Sequence, residues 1–360
     1  MWLTAFFGMA LKYAECTLAL KYRHLHKDGS VSGGPMFYIS KGLGGNWKIM
    51  GAVFAGCAAV CSFGSGCMNQ SNTLAVRVET HFGLPAVWSG IIFASLVALV
   101  IIGGIKRIGR VTSILAPFMA ILYVGGALVI LMMNLKLVPG AFQTIFVQAF
   151  APESLAGGAA GSILMTIMWG IRRGLFSNEA GQGSAPIAHA TAKTDEPVRE
   201  GLVASLGPFI DTLVICTMTG LVIIVSGAWT EKVPQKLDLG DVTVRSAVLE
   251  QASAPLAELR VQDGLVDRAE VRYLSNTVDH VRLLDETGAS WNGTILVDRE
   301  GAASLPEGGE PVFIEGEALL TGADMTALGF EKMLGDTGSL LVTLAVILFA
   351  VSTAISWSYY

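Results

Sequence analysis

Charge is scarce in this chain. Only 15% of its 360 residues are Asp, Glu, Lys or Arg, against 52% hydrophobic residues and a mean hydropathy of +0.57. That balance excludes an ordinary soluble enzyme of this size and implies a polytopic membrane protein in contact with a lipid bilayer. Cysteine is sparse too. The five, Cys16, Cys57, Cys61, Cys67 and Cys216, all lie in apolar stretches, which argues for small core residues and against a disulfide framework or a zinc site. No nucleophile elbow, phosphate-cradling loop or metalloprotease motif occurs, and His24, His26, His81, His189 and His280 are not spaced as metal ligands. No catalytic residue, enzyme activity, cofactor or nucleic-acid partner is therefore expected. Residues 1–15, MWLTAFFGMALKYAE, lack the basic n-region and cleavage site of a signal peptide. Met1 already sits in an apolar helix and the chain stops inside the apolar run 340–360, so a reading frame truncated at both ends is expected.

What is abundant is glycine, with 42 residues, and in membrane helices glycine lets backbones approach closely. Charge is also unevenly spread. From Trp229 to Asp336, 20 acidic residues face 9 basic ones, a balance of −11, while the remainder holds 15 basic and 9 acidic residues, +6. Windows of about 20 mostly apolar residues are needed to span a bilayer, and seven qualify, near 1–22, 47–76, 86–105, 111–133, 156–188, 202–228 and 336–360. Lys and Arg follow the first, third and fifth of these, which places 21–46, 104–111 and 189–201 in the cytoplasm and the region 229–335 outside. Residues 135–150 carry helical apolar spacing after Pro139 and suit an interfacial helix.

Residues 229–335 change character. Short alternating runs such as VTVRSAVL, AELRVQ, AEVRYL, DHVRLL, TILVD and PVFIEG are separated by turn signals at Asp263-Gly264, Thr287-Gly288, Asn292-Gly293 and Gly308-Gly309. The pattern predicts a small soluble β-domain inserted between 1–228 and 336–360, with a disordered acidic loop as the alternative.

Four constellations could carry function. The first is 157–190, GGAAGSILMTIMWGIRRGLFSNEAGQGSAPIAHA. Charges and glycines inside an apolar run cannot face lipid, so a broken helix is expected within this stretch, with freed backbone groups available to substrate and ions, and Gly170 and Ile171 are substrate-site candidates. Asn178 and Glu179 are gating or structural candidates, and Arg172 and Arg173 could instead pair with Glu179 as scaffolding. The second is FAVSTAISWSYY, where Ser352 and Thr353 with the Phe349 carbonyl supply hard oxygens suited to Na⁺. Trp357 shares a helix face with Thr353. Such hydroxyls also commonly bond the preceding turn. The third is FGSGCMNQSNTLA, in which Gln70 offers its amide to a zwitterion or to a neighbouring helix and Asn72 is a gating or structural polar candidate. The fourth is Asp211, a buried-looking acid in GPFIDTLVICT. Lys12 and Glu15, three apart, read as a structural ion pair.

With these residues in view, the chain resembles the alanine or glycine:cation symporter family, also called sodium:alanine symporters. The matching strings are MWLTAFFGMALKYAE, GGPMFYISKGLG, GLFSNEAGQGSAPIAHA, GPFIDTLVICTMTGLVI and FAVSTAISWSYY, in order, over everything except 229–335. The resemblance implies a leucine-transporter-type fold of two inverted five-helix repeats, of which the seven spans would be core helices two to eight. It also implies that Ser352 and Thr353 belong to a sodium site and that Gln70, Thr353 and Trp357 lie near a small amino-acid substrate. Two features depart from the family. The Gly-Thr-Gly-Asn-type broken first core helix and the helices after the eighth are missing from the sequence, so this chain alone is not expected to transport. The acidic β-region is also unusual there. The function implied is inner-membrane symport of alanine or glycine with sodium. A sensor built on a degenerate transporter core with an outer β-domain, and a non-functional fragment, are the alternatives; the oligomeric state stays open.

Overall fold

The computed structural model describes residues 1–27, 29–149, 159–246, 256–266, 269–273, 276–298, 301–306 and 312–359. The start of the fifth apolar window and the Gly308-Gly309 turn signal lie outside the described residues. The chain divides into two compact units, Met1–Ser226 with Thr326–Tyr360, and Gly227–Met325.

The first unit is helical. In chain order its helices are α1 (Trp2–Lys21), α2 (Pro35–Tyr38), α3 (Trp47–Cys61), α4 (Asn69–Phe82), α5 (Ala86–Ile101), α6 (Gly104–Met133), α7 (Val138–Ala149), α8 (Ala159–Asn178), α9 (Ala185–His189), α10 (Pro197–Pro208), α11 (Thr217–Val225), α12 (Gly322–Leu334) and α13 (Asp336–Trp357). The first residues of α12 fall in the second unit. Among the described residues, five helical stretches are long and apolar enough to cross a membrane: Trp2–Lys21, Trp47–Phe82, Arg107–Met133, Pro197–Val225 and Asp336–Trp357. The chain is a mostly helical, multi-pass membrane protein.

Two of the long stretches are continuous helices whose hydrogen-bond pattern widens in the middle. A π-helical segment, Ser62–Met68, joins α3 to α4, and another, Phe209–Cys216, joins α10 to α11. The second follows Pro208, whose missing N–H and ring clash disrupt the regular i→i−4 ladder.

The packing is that of a bundle in lipid. Along α6, Ile114, Phe118 and Ile121 are exposed while Tyr123, Ala127 and Ile130 are buried. This gives one apolar face for lipid and one for protein. Buried residues of α13 divide between two neighbours: Val342 and Ala345 join Tyr123, Ile130, Val222 and Phe330, while Ala350, Ala354 and Ile355 join Leu74, Val78 and Phe93. Small residues set the closest approaches. A Cβ on Gly8 of α1 would lie 3.0 Å from Asn178 Nδ2, and Gly174 of α8 abuts Thr4, the small-residue contact common between membrane helices.

The second unit is built of antiparallel strands in three small sheets. Numbered along the chain after the hairpin pair β1 (His24–Leu25) and β2 (Val31–Ser32) of the first unit, they are β3 (Lys232–Asp238), β4 (Val242–Ser246), β5 (Leu256–Gln262), β6 (Leu265–Val266), β7 (Ala269–Tyr273), β8 (Asn276–Thr277), β9 (Asp279–Leu284), β10 (Gly293–Asp298), β11 (Ala303–Ser304) and β12 (Phe313–Leu319). The orders are β11-β10-β5-β6, β3-β12-β9 and β4-β7-β8. Alternate residues, among them Val244, Leu259, Val261, Val271, Leu283, Ile295 and Val297, form the buried core. Asp263 and Gly264 have φ of 50° and 76° and close the β5–β6 hairpin, as two-residue turns with both central φ positive do. Asn292-Gly293 is not a turn. Gly293 opens β10 opposite Val261, and the Asn292 side chain accepts the Asp263 N–H at 2.6 Å.

Candidate functional site

The site is built around a break in the chain after α8. Glu179, Gly181 and Gly183 have φ of 48°, 80° and 79°, a run that L side chains resist and glycine accepts. Pro186 then sits at the start of α9, where a missing N–H costs nothing. The break therefore spans Glu179 to Ser184, inside the stretch where the sequence predicts a broken helix. α8 runs through Gly170 and Ile171 without interruption. A single glycine is tolerated inside a helix at about 1 kcal/mol relative to alanine, whereas three positive-φ residues within five positions are incompatible with it.

Side chains from three other helices converge on this break. From α1, buried Lys12 donates to the Asn178 carbonyl at 3.0 Å, and the buried Glu15 carboxylate accepts the Gly181 N–H at 3.2 Å. Lys12 stays within electrostatic reach of Glu15, as the sequence predicts, and each also satisfies a backbone group left over by the broken helix. From α13, the Trp357 indole Nε1 donates to Glu179 Oε1 at 3.2 Å, while Ser184 Oγ donates to Glu179 Oε2 at 3.0 Å. From α3, the Phe54 ring lies against Gly183, so close that a Cβ there would be 2.6 Å from Cζ.

Both π-helical segments reach the same place. Gly66 of the first is buried against Trp357, with a virtual Cβ 2.7 Å from its Cγ. Thr212 of the second is fully buried and shares a hydrogen bond with Ser177 at 3.2 Å, while the Cys216 thiol is 3.5 Å from the same hydroxyl. Wide helical turns are frequent at functional sites because they displace backbone groups from the regular ladder. Among the described residues the buried Asn178 Nδ2 has no hydrogen-bond partner, an uncommon and costly state for an amide donor. Beyond the break, Arg23 donates to the carbonyls of Ala190, Ala192 and Thr194 at 3.3, 2.7 and 3.1 Å, and His189 meets Glu200 at 2.6 Å.

The other residues singled out from sequence fall as follows. Ser352 is buried and Thr353 half-buried on α13, with Thr353 one turn before Trp357. Phe349 packs its ring edge-on against Tyr123 at 6.2 Å, and its carbonyl, one turn before Thr353, keeps a lone pair beyond its helical bond. Phe349, Ser352 and Thr353 thus fall within about one turn of α13. Gln70 is half-buried and Asn72 exposed on α4, and none of the hydrogen bonds of the break described above runs to them. Asp211 has part of its surface open, yet its carboxylate is largely surrounded by protein and lies within electrostatic reach of Lys12 and Glu179. Arg172 and Arg173 are exposed and lie over the Trp169 ring at 6.0 and 5.8 Å from its centroid, a cation–π arrangement; the Glu179 oxygens are engaged by Ser184 and Trp357. Gly170 lies near the chain start, 3.3 Å from the Met1 nitrogen for a virtual Cβ.

Residues 1–258 match the model of the sodium:alanine symporter family. The chain belongs to that family. It is 47% identical over 268 residues to the sodium/alanine symporter AgcS of Methanococcus maripaludis, covering 74% of this chain and 58% of that protein. It is 40% identical over 260 residues to the probable sodium/glutamine symporter GlnT of Bacillus subtilis, covering 72% and 53%. The amino-acid carrier protein AlsT of Bacillus subtilis is 41% identical over 227 residues, 62% and 47%. The chain spans about half the length of the curated relatives it matches. The family match ends before α13, so the helix carrying Ser352, Thr353 and Trp357 lies beyond it.

Sequence reasoning missed Arg77. It is 5% exposed in α4 and bridges to α13. An arginine within an apolar run was the available signal.

Proposed function

We propose that the chain is the greater share of the core of a secondary transporter that couples import of a small amino acid, alanine or glycine, to sodium. The single observation that carries this reading is the broken segment Glu179–Ser184, ringed by buried Lys12, Glu15 and Trp357, in a member of the sodium:alanine symporter family. In such breaks, free backbone N–H and C=O groups meet substrate and ion. Trp357 supplies an apolar wall and Gln70 an amide toward a zwitterion, with the backbone freed at Glu179–Ser184 serving in place of the continuous helix at Gly170 and Ile171. Ser352, Thr353 and the Phe349 carbonyl hold the cation, whose hard-ligand preference favours Na⁺. Asn72, Asn178, Glu179 and Asp211 act as gating or supporting polar groups. The spans are core helices two to eight of an inverted-repeat fold in the inner membrane, and the acidic strand-rich residues 229–335 lie on the extracytoplasmic side. Transport proceeds by alternating access, with cation binding favouring the substrate-competent state. No covalent step is involved.

The test is uptake of labelled alanine into vesicles containing the full-length gene product, with and without an inward Na⁺ gradient. Gradient-driven accumulation supports the proposal. Well-folded protein that binds alanine but never accumulates it favours a sensor instead.

A further inference from the structure

α4 and α13 pack along each other, held at both ends by contacts of different chemistry. At one end the Arg77 guanidinium donates to Thr343 Oγ1 at 2.9 Å and to Ser339 Oγ at 2.9 Å, with Ser339 O at 3.4 Å. Arg77, Ser339 and Thr343 are 5%, 6% and 0% exposed. Between the ends lies an apolar seam in which Leu74 and Val78 share a core with Ala350, Ala354 and Ile355. At the other end Gly66 abuts Trp357, and the Cys67 thiol lies 3.8 Å from Ser358 Oγ.

An apolar seam specifies axial position less sharply than directed hydrogen bonds do, because dispersion contacts have no preferred direction and lipid tails are as apolar as the side chains they replace. A planar guanidinium fork on two hydroxyls one turn apart does specify it, since its donors have fixed directions. From Thr343 to Trp357 the helix runs 14 residues, about 21 Å at 1.5 Å per residue. A slip or rotation of α13 at the Arg77 end therefore moves Ser352, Thr353 and Trp357 together.

We propose that Arg77 is a positioning residue: its clamp on Ser339 and Thr343 sets the register of α13 and so holds Ser352, Thr353 and Trp357 in place beside the break. The proposal rests on the transport reading for its functional consequence, but its structural consequence can be measured alone.

The experiment uses the full-length gene product with Cys16, Cys57, Cys61 and Cys216 replaced by alanine and with Ser358→Cys added beside native Cys67. Oxidative cross-linking between positions 67 and 358 reports the register at the far end. Arg77→Leu is expected to reduce cross-linking by about tenfold, the scale of losing one charge-assisted hydrogen bond, and Thr343→Val to reduce it in the same direction. Thr343→Ser, which keeps the hydroxyl, is expected to restore the parent level. In parallel, half-saturation for alanine and Na⁺ should rise in Arg77→Leu with maximal rate less affected. Unchanged cross-linking in Thr343→Val, or in an Arg77→Leu protein that elutes as folded, overturns the proposal. Thr343→Val and Thr343→Ser decide the question if Arg77→Leu fails to fold. Register-dependent cross-linking without any Na⁺-driven uptake in the parent protein would instead overturn the transport reading and leave the positioning role standing.

Discussion

Trp357 donates its indole N–H to Glu179 at 3.2 Å, and this bond joins α13 to the broken segment after α8. It fixes the orientation of an aromatic ring that Gly66 already confines from the other side. Glu179 also takes the Ser184 hydroxyl, so a single carboxylate ties the start of the break to its end and both to α13.

Removing that carboxylate should release the ring. Glu179→Ala is expected to lower alanine uptake by about tenfold, in line with about 1.5–3 kcal/mol for hydrogen bonds to a charged group. Glu179→Gln keeps an acceptor for the indole and should retain most activity. Initial-rate uptake at matched expression separates the two.

Gly66 and Gly183 allow two ring contacts that no larger residue permits. A Cβ would lie 2.7 Å from Trp357 Cγ at Gly66 and 2.6 Å from Phe54 Cζ at Gly183. Overpacking costs about 1–3 kcal/mol, and Gly183 adds a backbone penalty through its φ of 79°. Both Gly→Ala variants should melt earlier in detergent, with Gly183→Ala the more affected, while Gly56→Ala, which faces open space, should melt like the parent. Equal melting of all three would contradict this packing.

Much of this arrangement was legible in the sequence. The apolar windows located the long helices because hydrocarbon demands length and apolarity and little else. The run of glycine and polar residues after α8 announced a break, and the structure narrows it to Glu179–Ser184, where Glu179, Gly181 and Gly183 adopt positive φ. The Arg77 clamp was not legible. Its partners stand 262 and 266 residues away, and only folding brings them together.

The strand-rich unit carries its own pH signature. Asp285 is held below the usual carboxylate range, first by the Thr287 hydroxyl at 2.6 Å and then by the Ala289 N–H at 2.9 Å. Its pKa is lower folded than unfolded, so its stabilising contribution is complete above the ordinary Asp value of about 3.9 and is lost as pH falls through the depressed folded value. Acid unfolding of this unit, followed by strand-region circular dichroism, should lose steepness in Asp285→Ala. An unchanged acid profile would show that the turn contributes nothing.

The central claim is sodium-coupled transport through a site on α13 and the break. Its most direct test is labelled-alanine uptake by vesicles of the full-length gene product, with the Na⁺ gradient imposed, abolished or reversed, beside Thr353→Ala. The account predicts accumulation that follows the gradient and a half-saturation for Na⁺ at least about tenfold higher in Thr353→Ala, the loss of one oxygen ligand among a few. Uptake that ignores the gradient, or a Thr353→Ala protein with unaltered Na⁺ dependence, would contradict it.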